Sequence, residues 1–101
     1  IHAGGSCTGN ETDPFADAGG HYDNIVTASG NMQGCPHPYH AGDLPPLFVN
    51  NGTAYMVVAT NRFTVEEILG HTVIVHAHPD DFHSQPAGDS GSRIACGIIR
   101  G

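Results

Sequence analysis

Apolar positions are sparse in the first 42 residues and dense afterwards. From residue 47 onward they cluster into short runs: "LFVN" (47–50), "TAYMVVAT" (53–60), "HTVIVH" (71–76) and "RIACGIIR" (93–100). These runs are rich in Val, Ile and aromatic residues and predict strands. Asn50-Asn51-Gly52 between the first two is a strong hairpin-turn signal. "TVEEIL" (64–69) predicts one helical turn, with Thr64 as N-cap, Glu67 completing a capping box and Gly70 ending it. Residues 3–42 and 77–92 show neither period and are rich in Gly, Asn, Asp, Ser and Pro, as loops are. The pattern predicts an all-β domain over residues 1–101 with two long loops.

Two features of that pattern ask for more than the chain supplies. Both alternating faces of "TAYMVVAT" and "RIACGIIR" are largely apolar, so these strands expect cover on both sides. Four strands make one sheet, whereas a sandwich or closed barrel takes about seven or eight. The missing strands are therefore expected before Ile1 or from another chain. A connection of about 40 residues without periodicity is also rare in a compact domain. A metal and a disulfide are the obvious means of organising it.

Composition sharpens this picture. Ten acidic residues stand against three arginines, Arg62, Arg93 and Arg100, and no lysine, for a net charge of −7. That balance argues against binding nucleic acid or an anionic membrane surface. No apolar run approaches the length of a membrane span. The start at Ile1-His2 has neither a charged segment nor an apolar one, so no signal peptide is expected there, as in a mature or trimmed product. Three cysteines, Cys7, Cys35 and Cys96, allow one disulfide and one leftover thiol. A bridge between residues 7 and 96 would constrain the unfolded chain by about 4–5 kcal/mol and would need an oxidising compartment.

Eight histidines are the loudest signal. His37, His40 and Asp43 form H-x-x-H-x-x-D. With His21 from "GGHYDN" they make three imidazoles and a carboxylate, a tetrahedral set for zinc. Held in a loop, the metal would supply the folding energy that the loop lacks. His2 and His76, with His21, make an all-nitrogen set suited to copper. His78 and His83 read as solvated loop positions. Met32 and Met56 are too few and too far apart for a methionine copper site. "GDSGS" (88–92) has the look of a serine-protease nucleophile loop, but a chain this short cannot hold that double barrel.

In this order, "IHAGGSC", "AGGHYDN", "HAGDLPPL", "VIVHAHPDD" and "GDSGSRIACGII" resemble the bacterial type of Cu,Zn superoxide dismutase over essentially the whole chain. The resemblance implies a Greek-key β-barrel or sandwich lacking its first strands, and disproportionation of superoxide to O2 and H2O2 by copper cycling beside a structural zinc. It implies His2, His21 and His76 as copper ligands, with a first copper histidine two residues ahead of His2, outside this chain. His21 would be the shared imidazolate that takes up the catalytic proton. His21, His37, His40 and Asp43 would hold zinc, Asp80 would link the two sites through ligand histidines, and Arg93 would guide the anion. Cys7 and Cys96 would form the disulfide. The partners expected are superoxide and either a second copy or the missing strands; the expected compartment is extracellular, periplasmic or cell-surface. The alternatives are a non-catalytic zinc-binding member of the same fold, or an interaction module completed by a partner chain.

Overall fold

A computed structural model describes residues 1–24, 40–85 and 89–101. The regular framework is small. Strand β1, Thr72–His76, pairs antiparallel with β2, Arg93–Ile98, in a two-stranded sheet. The register runs from Thr72 opposite Ile98 to Val75 opposite Ala95, then shifts, so that His76 faces Arg93. That shift leaves Ile94 as an extra residue on β2. Such a bulge bends a strand and re-aims the side chains beside it.

At its Thr72 end, the other edge of β1 is bridged by His2. The amide of His2 donates to the Thr72 carbonyl at 2.8 Å, and Thr72 Oγ1 donates to the Gly4 carbonyl at 3.1 Å. Thr72 is fully buried in consequence. His2 also bridges to His21, so three distant segments meet around one residue. A 3-10 turn at Ala16–Ala18 supports this junction, with Ala18 fully buried and its carbonyl bonded to the Gly4 amide. The Cys7–Cys96 disulfide, spanning 89 positions, fastens the same N-terminal segment to β2.

Helix α1, Val65–Ile68, has the expected ends. Thr64 accepts from the Glu67 amide, and the Glu67 carboxylate accepts from the Thr64 amide, a full capping box. Gly70 follows at φ 83°. The hairpin turn also forms: Asn50 and Thr53 exchange bonds of 2.8 and 3.1 Å, with Asn51 and Gly52 at φ 52° and 77°.

Beyond that turn the expected ladders of 47–50 and 53–60 do not form. One bridge, Asn50 to Thr53, is all the pairing they show among the described residues. Phe48, Tyr55 and Val57 are 94%, 89% and 79% exposed. Alternation and β-branching record a preference for a covered, pleated surface. They do not supply the neighbour whose N–H and C=O groups make a ladder. The buried apolar core is correspondingly slight, consisting of Ala18, Ala41 and Ile68 among the described residues.

Candidate metal centre

Two groups of side chains converge at the junction of the N-terminal segment, β1 and residues 40–43. In one, a nitrogen from each of His2, His21 and His76 lies within 4.8 Å of the others. In the second, His21, His40 and Asp43 do the same. His21 belongs to both.

The first group is set by backbone. His2 Nδ1 lies 2.8 Å from the Gly19 carbonyl, and His76 Nδ1 lies 3.2 Å from the Gly91 carbonyl. A carbonyl only accepts, so both Nδ1 atoms carry the proton and both Nε2 atoms carry the lone pair. Those two Nε2 atoms face each other at 3.3 Å. Burial brings the pKa of His2 down to about 4 and that of His76 below its ordinary value. Near neutral pH both rings are therefore uncharged, with lone pairs turned on a common point.

The second group is set by a tight turn. The Asp43 amide donates to the His40 carbonyl at 3.1 Å, and the His40 amide returns to Asp43 Oδ2 at 3.1 Å. His21 Nδ1 is 2.8 Å from Asp43 Oδ1 and 3.1 Å from His40 Nδ1; His40 Nδ1 is 3.1 Å from Asp43 Oδ2. Gly42 lies at the centre of this turn: its amide bonds the Tyr22 carbonyl and its carbonyl accepts from the Ile1 nitrogen. A Cβ on Gly42 would stand 2.6 Å from the Ile1 carbonyl oxygen, so the turn could not approach so closely with a larger residue.

Arg93, opposite His76 in the register, donates from Nη1 to the Phe15 carbonyl at 2.7 Å and from Nη2 to the Gly19 carbonyl at 2.6 Å. Asp80 accepts from the Phe82 amide through Oδ1 at 2.7 Å. It lines a cavity of about 560 Å³ together with His2, His21, Asp43 and His76. His37 and Cys35 lie outside the described residues, as does Met32. Of the remaining histidines, His71 bonds the Ala3 carbonyl at 2.7 Å and lies against Tyr22, and His83 is exposed beside Asp81.

Two contributors carry little signal in the sequence. The Gly19 carbonyl serves both His2 and Arg93, and its only forewarning is the Gly19-Gly20 pair. Arg62, read only as one of three cations, donates from Nη1 to the carbonyls of His40 and Asp43 at 3.2 and 3.4 Å. Nothing in its local sequence announces that.

The profile of the copper/zinc superoxide dismutase (SODC) family matches residues 1–99. The chain is 41% identical to the superoxide dismutase [Cu-Zn] of Photobacterium leiognathi over 99% of its own length and 61% of that protein. It is 39% identical to the corresponding protein of Deinococcus radiodurans, over 89% of its length and 52% of the relative. With that of Escherichia coli K12 it shares 40% identity over 99% of its length and 61% of the relative. The chain thus spans between half and about three-fifths of the length of these relatives. Matched almost from end to end, and carrying two histidine groups joined through one ring, the chain belongs to the copper/zinc superoxide dismutase family.

Proposed function

We propose that this chain works as part of a superoxide dismutase, with copper held by His2, His21 and His76 and zinc by His21, His37, His40 and Asp43. The observation that carries this reading is the pair of Nε2 atoms 3.3 Å apart on two neutral rings. Facing lone pairs repel unless a cation lies between them, and burial disfavours a proton in that role. Neutral imidazoles suit copper, and the imidazole–carboxylate set around Asp43 suits zinc. When bound, copper supplies one-electron redox chemistry and zinc a fixed positive charge.

The chain's own residues then have separable tasks. The Gly19 and Gly91 carbonyls hold the His2 and His76 rings in the Nδ1–H tautomer, so that Nε2 is always the presented atom. His21 turns Nδ1 toward Asp43 and is the ring shared by both groups, and it would take up and release the proton that peroxide formation requires. Arg93 spends two N–H groups on carbonyls. Its remaining donors and its charge are available to draw superoxide toward His76, against a chain of net charge −7. Asp80, on the cavity wall, would orient ligand rings from behind.

In this reading residues 1–101 form part of one Greek-key β-barrel domain. Further strands, of the same polypeptide or of another chain, cover the faces that carry Phe48, Tyr55 and Val57. A second copy is the alternative cover. The disulfide supports an extracellular, periplasmic or cell-surface setting. Metal analysis beside a superoxide-consumption assay tests the proposal. Near-stoichiometric copper and zinc with activity supports it; zinc alone without activity would make the chain a non-catalytic zinc protein of the same family.

A further inference from the structure

We infer that Arg62 is a positioning residue for the zinc ligands, clamping the His40–Asp43 turn from outside; this rests on the reading of that turn as the zinc site.

After the turn come Pro45 and Pro46, which lack an amide N–H and cannot tie the segment into a ladder. Within it, the reciprocal His40 and Asp43 bonds fix its shape but not its place. Gly42 fastens its middle to Tyr22 and Ile1. Arg62 fastens its two ends, one guanidinium nitrogen reaching the carbonyls of both His40 and Asp43. Those are the two residues that join His21 in the second group of side chains.

Arg62 is itself held. Its amide donates to Thr60 Oγ1 at 3.1 Å, and its carbonyl accepts from Asn24 Nδ2 at 2.9 Å. The same Asn24 nitrogen lies 3.3–3.4 Å from the Glu67 carboxylate, which also takes the Tyr22 hydroxyl at 2.9 Å. Glu67 is the capping-box residue of α1. One connected set of bonds therefore runs from a helix cap, through Asn24 and Arg62, to the turn, and a branch ends at Tyr22, the residue next to His21. The ligands are held from both sides by groups that never touch the metal. Residues in such positions commonly change metal affinity by about 10–100-fold when removed.

Charge and geometry make opposite forecasts here, which gives the test its sign. A guanidinium near a divalent cation opposes binding by Coulomb repulsion. If Arg62 acted only as a charge, Arg62→Gln would tighten zinc. If it positions the turn, the same variant loosens zinc. Apo-protein prepared by chelator dialysis is titrated with zinc against a chromophoric chelator, and with Co(II) for its tetrahedral absorption bands. Wild type, Arg62→Gln, Arg62→Lys and Asn24→Ala are compared, with urea unfolding of each apo form as the measure of folding.

The expected result is zinc affinity about tenfold or more weaker in Arg62→Gln, a broadened and weaker Co(II) band, and partial recovery in Arg62→Lys. Asn24→Ala, which leaves Arg62 in place, should show a smaller loss in the same direction. Unchanged or tighter zinc binding in Arg62→Gln would overturn the inference. So would a loss that tracks the drop in apo stability across all three variants. Wild-type apo-protein that binds neither zinc nor Co(II) would instead overturn the zinc reading itself.

Discussion

His2 and Arg93 are bonded to the same atom. The Gly19 carbonyl oxygen accepts from His2 Nδ1 at 2.8 Å and from Arg93 Nη2 at 2.6 Å, so one peptide group aims both a proposed copper ligand and the proposed anion guide. Gly19 sits at φ 69°, ψ −162°, a region that essentially only glycine occupies. A Cβ there would meet nothing closer than 3.5 Å, so the cost of a larger residue is conformational rather than steric. We expect Gly19→Ala to destabilise the protein by about 1–3 kcal/mol and to lower copper retention and superoxide turnover together. Urea unfolding and metal analysis of the variant check both.

Arg93→Gln should lower kcat/KM for superoxide by about tenfold or more and flatten its dependence on ionic strength. Copper content should stay near that of wild type. Pulse radiolysis at several salt concentrations measures this; an unchanged rate would remove Arg93 from the substrate path.

The disulfide joins residues 89 positions apart. Closing a loop of that size constrains the unfolded chain by about 4–5 kcal/mol in the chain-entropy account. Cys7→Ser with Cys96→Ser, or reduction of wild type, should shift the urea midpoint down accordingly. Reduction should leave the double variant unmoved.

Glu67 is held below the ordinary carboxylate range by the Thr64 amide first, then by Tyr22 and Asn24. Its ionised form is thus favoured by folding. The stability it contributes is present above the unfolded value of about 4.5 and is lost as pH falls through its lower folded value. Glu67→Gln should be less stable at pH 6, and its difference from wild type should shrink as the pH is taken below 4.5. Urea midpoints across that range test the sign.

Metal removal should cost stability that grows with the logarithm of affinity. A metal that binds only the folded state contributes about 4 kcal/mol when its free concentration is a thousand times Kd. Calorimetry with and without chelator should show the apo form melting well below the loaded one, with the transition of the loaded form moving as free zinc is varied.

What the sequence made legible was short in range or dense in chemistry. The Thr64–Glu67 box and the Asn50–Thr53 turn follow from local backbone preferences, and both form. Cys7 and Cys96 were available from the family resemblance, and they are joined. The histidines and Asp43 stood out because few residue types bind metals. Strands at 47–60 are implied by β-branched and aromatic content and by alternation, and neither names a neighbour. Arg62 and the Gly19 carbonyl were invisible for a related reason. One acts across about 20 residues through backbone acceptors, and the other contributes no side chain.

The extra residue at Ile94 gives the sheet a length it cannot trade. Because β2 takes two steps where β1 takes one, Arg93 is out of phase with the alternation that β1 would impose on it. Deleting Ile94, or inserting one residue beside it, would leave Ala95–Ile98 in register with β1 and still turn the guanidinium to the opposite face. Descendants of this sequence should therefore tolerate substitutions at Ile94, which is 59% exposed, far better than indels there.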